Sequence, residues 1–246
     1  MRKLIPLFPI SPLCRDEFVP QESNTFLAIF DHDGVLVDTL DLHQKAWLEL
    51  GKRTGLPITA DLIHQTFGMT NPSIFRLILN QSHSPQELAH YSNLKESCYR
   101  ELANNTITLM AGVLELLDSL TASGVLLAIG SSAVRENLDL TIAQCALQGR
   151  FKAISSLEDI ERGKPDPQVF LVAAAKAGVP PSRTVVFEDA VVGVQAAKAA
   201  GMRAVGVTNT HNEASLWKAG ADEVVTHLKS YDVPALIKSL RHSRSI

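Results

Sequence analysis

The chain has 246 residues, 46% hydrophobic and 20% charged, an ordinary soluble globular composition with apolar surface for one large domain or two modest ones. A net charge of −3 implies no basic face, so nucleic acid is not an expected partner. No window approaches the length of a transmembrane helix, so no membrane is expected either.

The start of the chain differs from the rest. Met1-Arg2-Lys3 leads into a short apolar stretch, but Pro6, Pro9 and Pro12 interrupt any helical signal region, and no small-residue cleavage site follows. The bulky Leu13 before Cys14 weakens a lipoprotein reading. Residues 1–24 are therefore expected to form a loosely ordered extension. Cys14, Cys98 and Cys145 lie far apart without metal-ligand spacing, which points to reduced thiols in a cytoplasmic protein.

Phe26-Leu27-Ala28-Ile29-Phe30 is a short apolar run of strand character that stops at Asp31-His32-Asp33-Gly34. After Thr39 the pattern turns helical: a first helix ends near Gly51 or Gly55, and others cover Ala60–Phe67, Pro72–Asn80 and Pro85 to about Asn104. No strand is expected between Thr39 and Ile107, a gap too long for a strand-to-helix connection and of a size to be a domain. Alternating elements then resume. Strands are expected at Val125–Ile129, Ala153–Ser155, Thr184–Phe187, Ala204–Val207 and, as an edge, Glu223–Val225. Helices are expected at Val113–Ser123, Arg135–Gln144, Pro167–Ala177, Val191–Ala200 and Pro234–Leu240. Such alternation specifies a doubly wound parallel α/β sheet, here with a helical insert after its first strand.

The C-terminal ends of parallel strands lie side by side, so groups far apart in sequence converge there. The first strand ends at Asp31 and Asp33, the second at Ser131-Ser132 and the fourth at Glu188-Asp189. Each alone has an ordinary reading: Ser131-Ser132 as a helix N-cap, Glu188-Asp189 as a cap, Lys164 in Gly163-Lys164-Pro165-Asp166-Pro167 as a solvated loop lysine. Together they are suited to phosphoryl transfer. Asp31, Asp33 and Asp189 are hard oxygen ligands of the kind that hold Mg²⁺ with room for a phosphate oxygen. Ser131 and a helix start suit the phosphate, and Lys164 adds balancing positive charge. A carboxylate can itself attack to form an aspartyl-phosphate.

FDHDGVLVDT, Ser131 after an apolar strand, GKPDP and FEDAVVGVQAAKAAGM, in that order, resemble the haloacid dehalogenase superfamily in its β-phosphoglucomutase-like branch over roughly residues 24–240. The resemblance implies that Asp31 is the nucleophile and Asp33 the general acid/base. It implies that Ser131, with Ser132, and Lys164 bind the phosphoryl group. It assigns Mg²⁺ to Asp31, the Asp33 carbonyl and Asp189, with Glu188 beside them. It also divides the chain into a core, 25–40 and 107–246, and a helical cap, 41–106, that closes over a small-molecule phosphate ester. Dehalogenation is set aside, because Asp33 supplies a proton carrier which that reaction does not need.

Within the cap, His43, the loop Gly68-Met69-Thr70-Asn71 and Lys95 fall at substrate-facing positions by the same resemblance. Packing of His43 against Trp47, and exposure of Lys95, are the plainer alternatives. Asn71 stands where the related mutase has an arginine for the distal phosphate, and an amide cannot replace that bidentate contact. Arg76 is the candidate substitute, with a surface position the simpler expectation. His64, His83, His90, His211 and His227 are expected on the surface. The leading expectation is a Mg²⁺-dependent phosphatase, monomeric, acting on a sugar phosphate or similar metabolite. The alternatives are a hexose-phosphate mutase and a catalytically silent binding protein of the same fold.

Overall fold

In the computed structural model, which describes residues 25–66, 69–79 and 84–242 (side chains of His64 and His242 excepted), Leu27–Phe30 forms β1, buried on both faces. The extension 1–24 with Cys14, the expected helix ends Phe67 and Asn80, the loop residue Gly68 and His83 lie outside the described residues. Four helices follow β1: α1 (Leu40–Thr54), α2 (Ala60–Thr66), α3 (Asn71–Leu79) and α4 (Pro85–Ala103). Then come α5 (Val113–Ala122), β2 (Leu126–Gly130), α6 (Arg135–Gln144), β3 (Ala153–Ser155), α7 (Gln168–Ala177) and β4 (Thr184–Glu188). The chain continues through α8 (Val191–Ala199), β5 (Arg203–Val207), α9 (Glu213–Lys218), β6 (Glu223–Val225) and α10 (Val233–His242).

The strands pair in parallel in the order β3-β2-β1-β4-β5-β6, with β1 between β2 and β4. This is the doubly wound order, whose ligand crevice opens beside the first strand. Side chains of β1 alternate between two cores, as strand geometry requires. Ala28 and Phe30 join Leu117, Leu138 and Leu236 on one face; Leu27 and Ile29 join Val169, Phe170 and Leu216 on the other. The insert packs around its own cluster of Trp47, Leu50, Ile63, Ile74, Phe75 and Leu88. Its two crossings run side by side, joined by a bridge between Val37 and Leu109 and by Met110 N–H donating to the Leu36 carbonyl at 2.9 Å.

Of the two ends expected for α1, the helix runs through Gly51 and takes Gly55, which adopts φ 73 and whose N–H closes on the Gly51 carbonyl. Three details differ from the sequence reading. Helix α3 begins at Asn71, one residue before Pro72. Helix α9 was not expected: six residues with a single buried side chain, Leu216, carry no periodicity, and only the Asn212 cap marks its start. Ser131-Ser132 does not cap α6, whose N-cap is Val134.

Phe187 of β4 stacks on Phe30 at 4.8 Å between ring centroids and meets the edge of Tyr231 at 5.4 Å. Phe187→Ala is predicted to cost about 3–5 kcal/mol, read as a lower urea midpoint with an unchanged slope.

Candidate active site

The three strand ends converge as the topology requires. Asp31 follows β1 directly, and its N–H donates to the Phe187 carbonyl of β4 at 3.0 Å. Gly34 turns the chain at φ 82, and a Cβ there would fall 2.0 Å from Asp189 Oδ2, so only glycine lets the two acidic loops meet. Lys164 arrives from the loop before α7. Its Nζ lies 3.0 Å from Asp31 Oδ1, 2.8 Å from Glu188 Oε2 and 4.9 Å from the centre of the Phe170 ring. It is buried, so the solvated-lysine reading is wrong. Asp31, Asp33, Ser131, Ser132, Lys164, Glu188 and Asp189 all line one cavity, as do His43, Thr70, Asn71 and Lys95 from the insert.

Oxygens of Asp31, Glu188 and Asp189 come within 4.8 Å of one another. Glu188 is internally committed, accepting from Lys164 through Oε2 and from the Ala190 N–H through Oε1. Asp31 Oδ1 is buried and without a hydrogen bond; Lys164 is near it in charge but not aligned to donate. Burial, with the charge of Asp31, pushes Glu188 well above the usual carboxylate range and Asp189 up to about 7. Lys164 is held protonated because the charges of Asp31 and Glu188 outweigh its burial. Three buried carboxylates that cannot all ionise, with Lys164 as their one close cation among the described residues, fit a divalent cation held by Asp31 and Asp189.

Asp33 faces a different environment. His32 Nδ1 at 2.9 Å, the Thr39 hydroxyl and His43 Nε2 at 3.4 Å all meet its Oδ1. Burial resists ionisation, but the two imidazoles outweigh it and hold Asp33 well below its ordinary range. A carboxylate only accepts, so each of these imidazole nitrogens carries its hydrogen. His43 Nδ1 then accepts from the Lys95 ammonium at 2.7 Å. Lys95 also donates to Glu96 at 2.9 Å and is only 2% exposed, so the plain expectation of an exposed lysine fails. His43 stacks on Tyr99 at 4.3 Å rather than packing on Trp47.

Several residues of the site had no role in the sequence reading. His32 is buried between Asp33 and the Thr141 hydroxyl, its Nε2 2.8 Å from the latter. Alternation along the loop, which puts the residue between two aspartates on the opposite side, was the available signal. Glu96 is buried and accepts from Asn71 and Asn137. The Thr210 hydroxyl donates to Asp189 Oδ2, and His211, expected on the surface, is half-buried with Nδ1 3.2 Å from the Asp189 carbonyl oxygen. His90, His227 and Arg76 are exposed, as expected.

A family profile described as haloacid dehalogenase-like hydrolase matches residues 28–207. The chain belongs to this family. It is 32% identical over 189 residues to the β-phosphoglucomutase of Bacillus subtilis (strain 168), covering 73% of this chain and 81% of that one. It is 30% identical over 200 residues to the chloroplastic 5-amino-6-(5-phospho-D-ribitylamino)uracil phosphatase of Arabidopsis thaliana, covering 80% of this chain but only 53% of that protein. A family IA, variant 3 hydrolase from Entamoeba histolytica HM-1:IMSS has the same fold, with a TM-score of 0.80 and 26% identity over 88% of this chain and 99% of that one. Among the described residues of this haloacid dehalogenase-like hydrolase, no helix is long and apolar enough to cross a membrane.

The acid cluster sets a pH dependence. Asp189 holds its proton to about 7 when folded against an ordinary 3.8, so across that interval the folded state binds more protons than the unfolded chain. Stability of the metal-free hydrolase is therefore predicted to fall as pH rises through this window. His32, raised because Asp33 and Asp31 outweigh its burial, adds to the same trend. Saturating Mg²⁺ is predicted to raise the melting temperature more at about pH 8 than at about pH 5, as thermal denaturation with and without chelator will show.

Proposed function

We propose that the chain is a Mg²⁺-dependent phosphatase that hydrolyses a small organic monophosphate, a sugar phosphate or similar metabolite, through an aspartyl-phosphate on Asp31. The observation that carries this reading is the contrast between the two aspartates. Asp31 Oδ1 is buried with the Lys164 ammonium 3.0 Å away as its charge partner, whereas Asp33 has three donors on Oδ1 alone. The first suits a nucleophile and the second a proton carrier whose Oδ2 takes none of these three hydrogen bonds.

An Asp31 oxygen attacks phosphorus, the ester P–O bond breaks, and the leaving oxygen takes the proton of Asp33. Water then attacks the aspartyl-phosphate, yields a proton to Asp33 and releases phosphate, restoring Asp31. Asp33 must be protonated for the first half. The dianionic ester brings negative charge beside it and works against the two imidazoles. Ser131, Ser132 and Lys164 hold the phosphoryl oxygens. Mg²⁺ on Asp31, the Asp33 carbonyl and Asp189, with Glu188 beside them, would neutralise charge and orient the phosphoryl group. Residues 41–106 act as a cap over the core, 25–40 and 107–246, and water exclusion beneath it strengthens these interactions. A monomer in the cytoplasm remains the expected setting.

The named relatives include both a phosphatase and a mutase, so the choice rests on the insert wall. Asn71 turns its Nδ2 to Glu96 at 2.6 Å and offers no cation, while Arg76 is exposed and does not line the cavity. Without a distal anchor, a bisphosphate intermediate is hydrolysed before it can turn round, which favours hydrolysis. The full set of charged residues argues against a silent binder.

Asp31→Asn is predicted to abolish release of phosphate from an aryl phosphate and to leave no acid-stable, base-labile phosphoenzyme. Asp33→Asn is predicted to lower kcat by about 10²–10⁴-fold while a phosphoenzyme can still be trapped. Near-normal turnover in the Asp31 variant would refute the assignment.

A further inference from the structure

Glu96 sits in α4 beside Lys95, yet both are buried, and the carboxylate is surrounded by residues that face the ligand cavity. Its Oε1 accepts from Asn71 Nδ2 at 2.6 Å and from Lys95 Nζ at 2.9 Å; its Oε2 accepts from Asn137 Nδ2 at 2.6 Å. Asn71, Lys95 and Asn137 all line the cavity, and so does Glu96 itself. Because a carboxylate accepts and never donates, it dictates how both amides lie: each NH₂ faces Glu96. The carbonyl oxygen of Asn137 is taken by Arg100 Nη1 at 3.3 Å. The carbonyl oxygen of Asn71, a residue that lines the cavity, has no protein partner among the described residues and is left as an acceptor.

We propose that Glu96 is a specificity-determining residue that makes the insert wall receive a neutral, hydrogen-donating end of a monophosphate and reject a second phosphate. This rests on the phosphatase reading and adds to it the chemistry of the far end of the substrate. The cavity is lined by five carboxylates and two lysines. Lys164 is matched by Asp31 and Glu188, and Lys95 by Glu96. Glu96 is ionised, because Lys95, His43 and the Asn71 amide outweigh its burial. The cation nearest the far end is thus already neutralised, and the adjacent amide presents oxygen. Ile63 and Ile74 line the same cavity and supply no anion partner, and Trp47 offers only a single neutral indole N–H. A terminal phosphate there would lose its water and meet an acceptor, an apolar surface and a compensated ion pair. A hydroxyl or amine hydrogen would find the Asn71 acceptor. An arginine introduced at 71 would meet Glu96 first, so that change alone would not create a phosphate anchor.

The test compares glucose 6-phosphate with glucose 1,6-bisphosphate as competitive inhibitors of aryl phosphate hydrolysis by the Mg²⁺-loaded enzyme, with Glu96 intact and as Glu96→Gln. The intact protein is expected to bind the bisphosphate no more tightly than the monophosphate. Glu96→Gln leaves the Lys95 charge uncompensated, and the ratio of inhibition constants is expected to move toward the bisphosphate by roughly tenfold, the effect of one charged hydrogen bond. A general loss of structure would weaken both ligands together and leave the ratio unmoved. An unchanged ratio in a folded Glu96→Gln protein would overturn the proposal. So would a bisphosphate preference of roughly tenfold or more in the intact protein, which decides the matter even if the variant does not fold. Absence of hydrolysis of any ester would remove the phosphatase reading instead; the same two ratios are then read by titration calorimetry and judge Glu96 independently.

Discussion

Everything at this site follows from the cost of gathering carboxylates where water is excluded. Asp31, Glu188 and Asp189 are each at most 8% exposed, and their nearest oxygens lie within one ion's reach. Left alone, such groups protonate or push the chain apart. The fold counters this with Lys164, which enters from a loop and sits over Phe170 with its charge on Asp31 and Glu188. It also removes side chains where the acids need room. Gly34 yields space to Asp189, and a Cβ on Gly193 would fall 2.0 Å from the Glu188 carboxyl carbon, so the start of α8 rests directly on that group. One lysine does not balance three acids, and the remaining negative charge is what makes the cluster suited to a divalent cation and a phosphoryl group.

The centre of the sheet was legible in the sequence because β1, β2 and β4 are largely apolar and run into glycine or acid. Runs such as Thr184–Phe187 carry that signal without any help from tertiary context, and helices flanked by glycine are equally plain. The core of the site was legible for the same reason: parallel strands bring their C-terminal ends together, so residues at those ends meet whatever the spacing between them. What escaped was set by contacts across elements. Whether Lys95 is exposed depends on α4 packing beside α1 and α6, which no local pattern reports. Glu96, next to a lysine on a helix, reads as one more surface charge until Asn71 and Asn137 are seen to close on it. Short α9 escaped because one buried leucine makes no period.

The insert meets its own version of the constraint that governs the core. Adjacent residues on a helix point about 100° apart, so burying both Lys95 and Glu96 needs partners on two sides. The junction with α6 supplies one, through Asn137; α1 supplies the other, through His43. Asn71 and His43 come from the insert itself, and Asn137 ties the pair to α6 of the core.

That arrangement has a direction. The Lys95 ammonium can only donate, so His43 Nδ1 accepts and its Nε2 carries the hydrogen that faces Asp33. Thr39, at the crossing into the insert, adds a second donor, and His32, anchored on Thr141 of α6, adds a third from the core side. All three meet Oδ1 of Asp33. His43 is the one of the three that comes from the insert, so the insert adds its donor to an Asp33 that His32 and Thr39 already hold from the core side. Glu96, Lys95, His43 and Asp33 thus form one continuous chain of polar contacts from the insert wall to the acidic loop after β1.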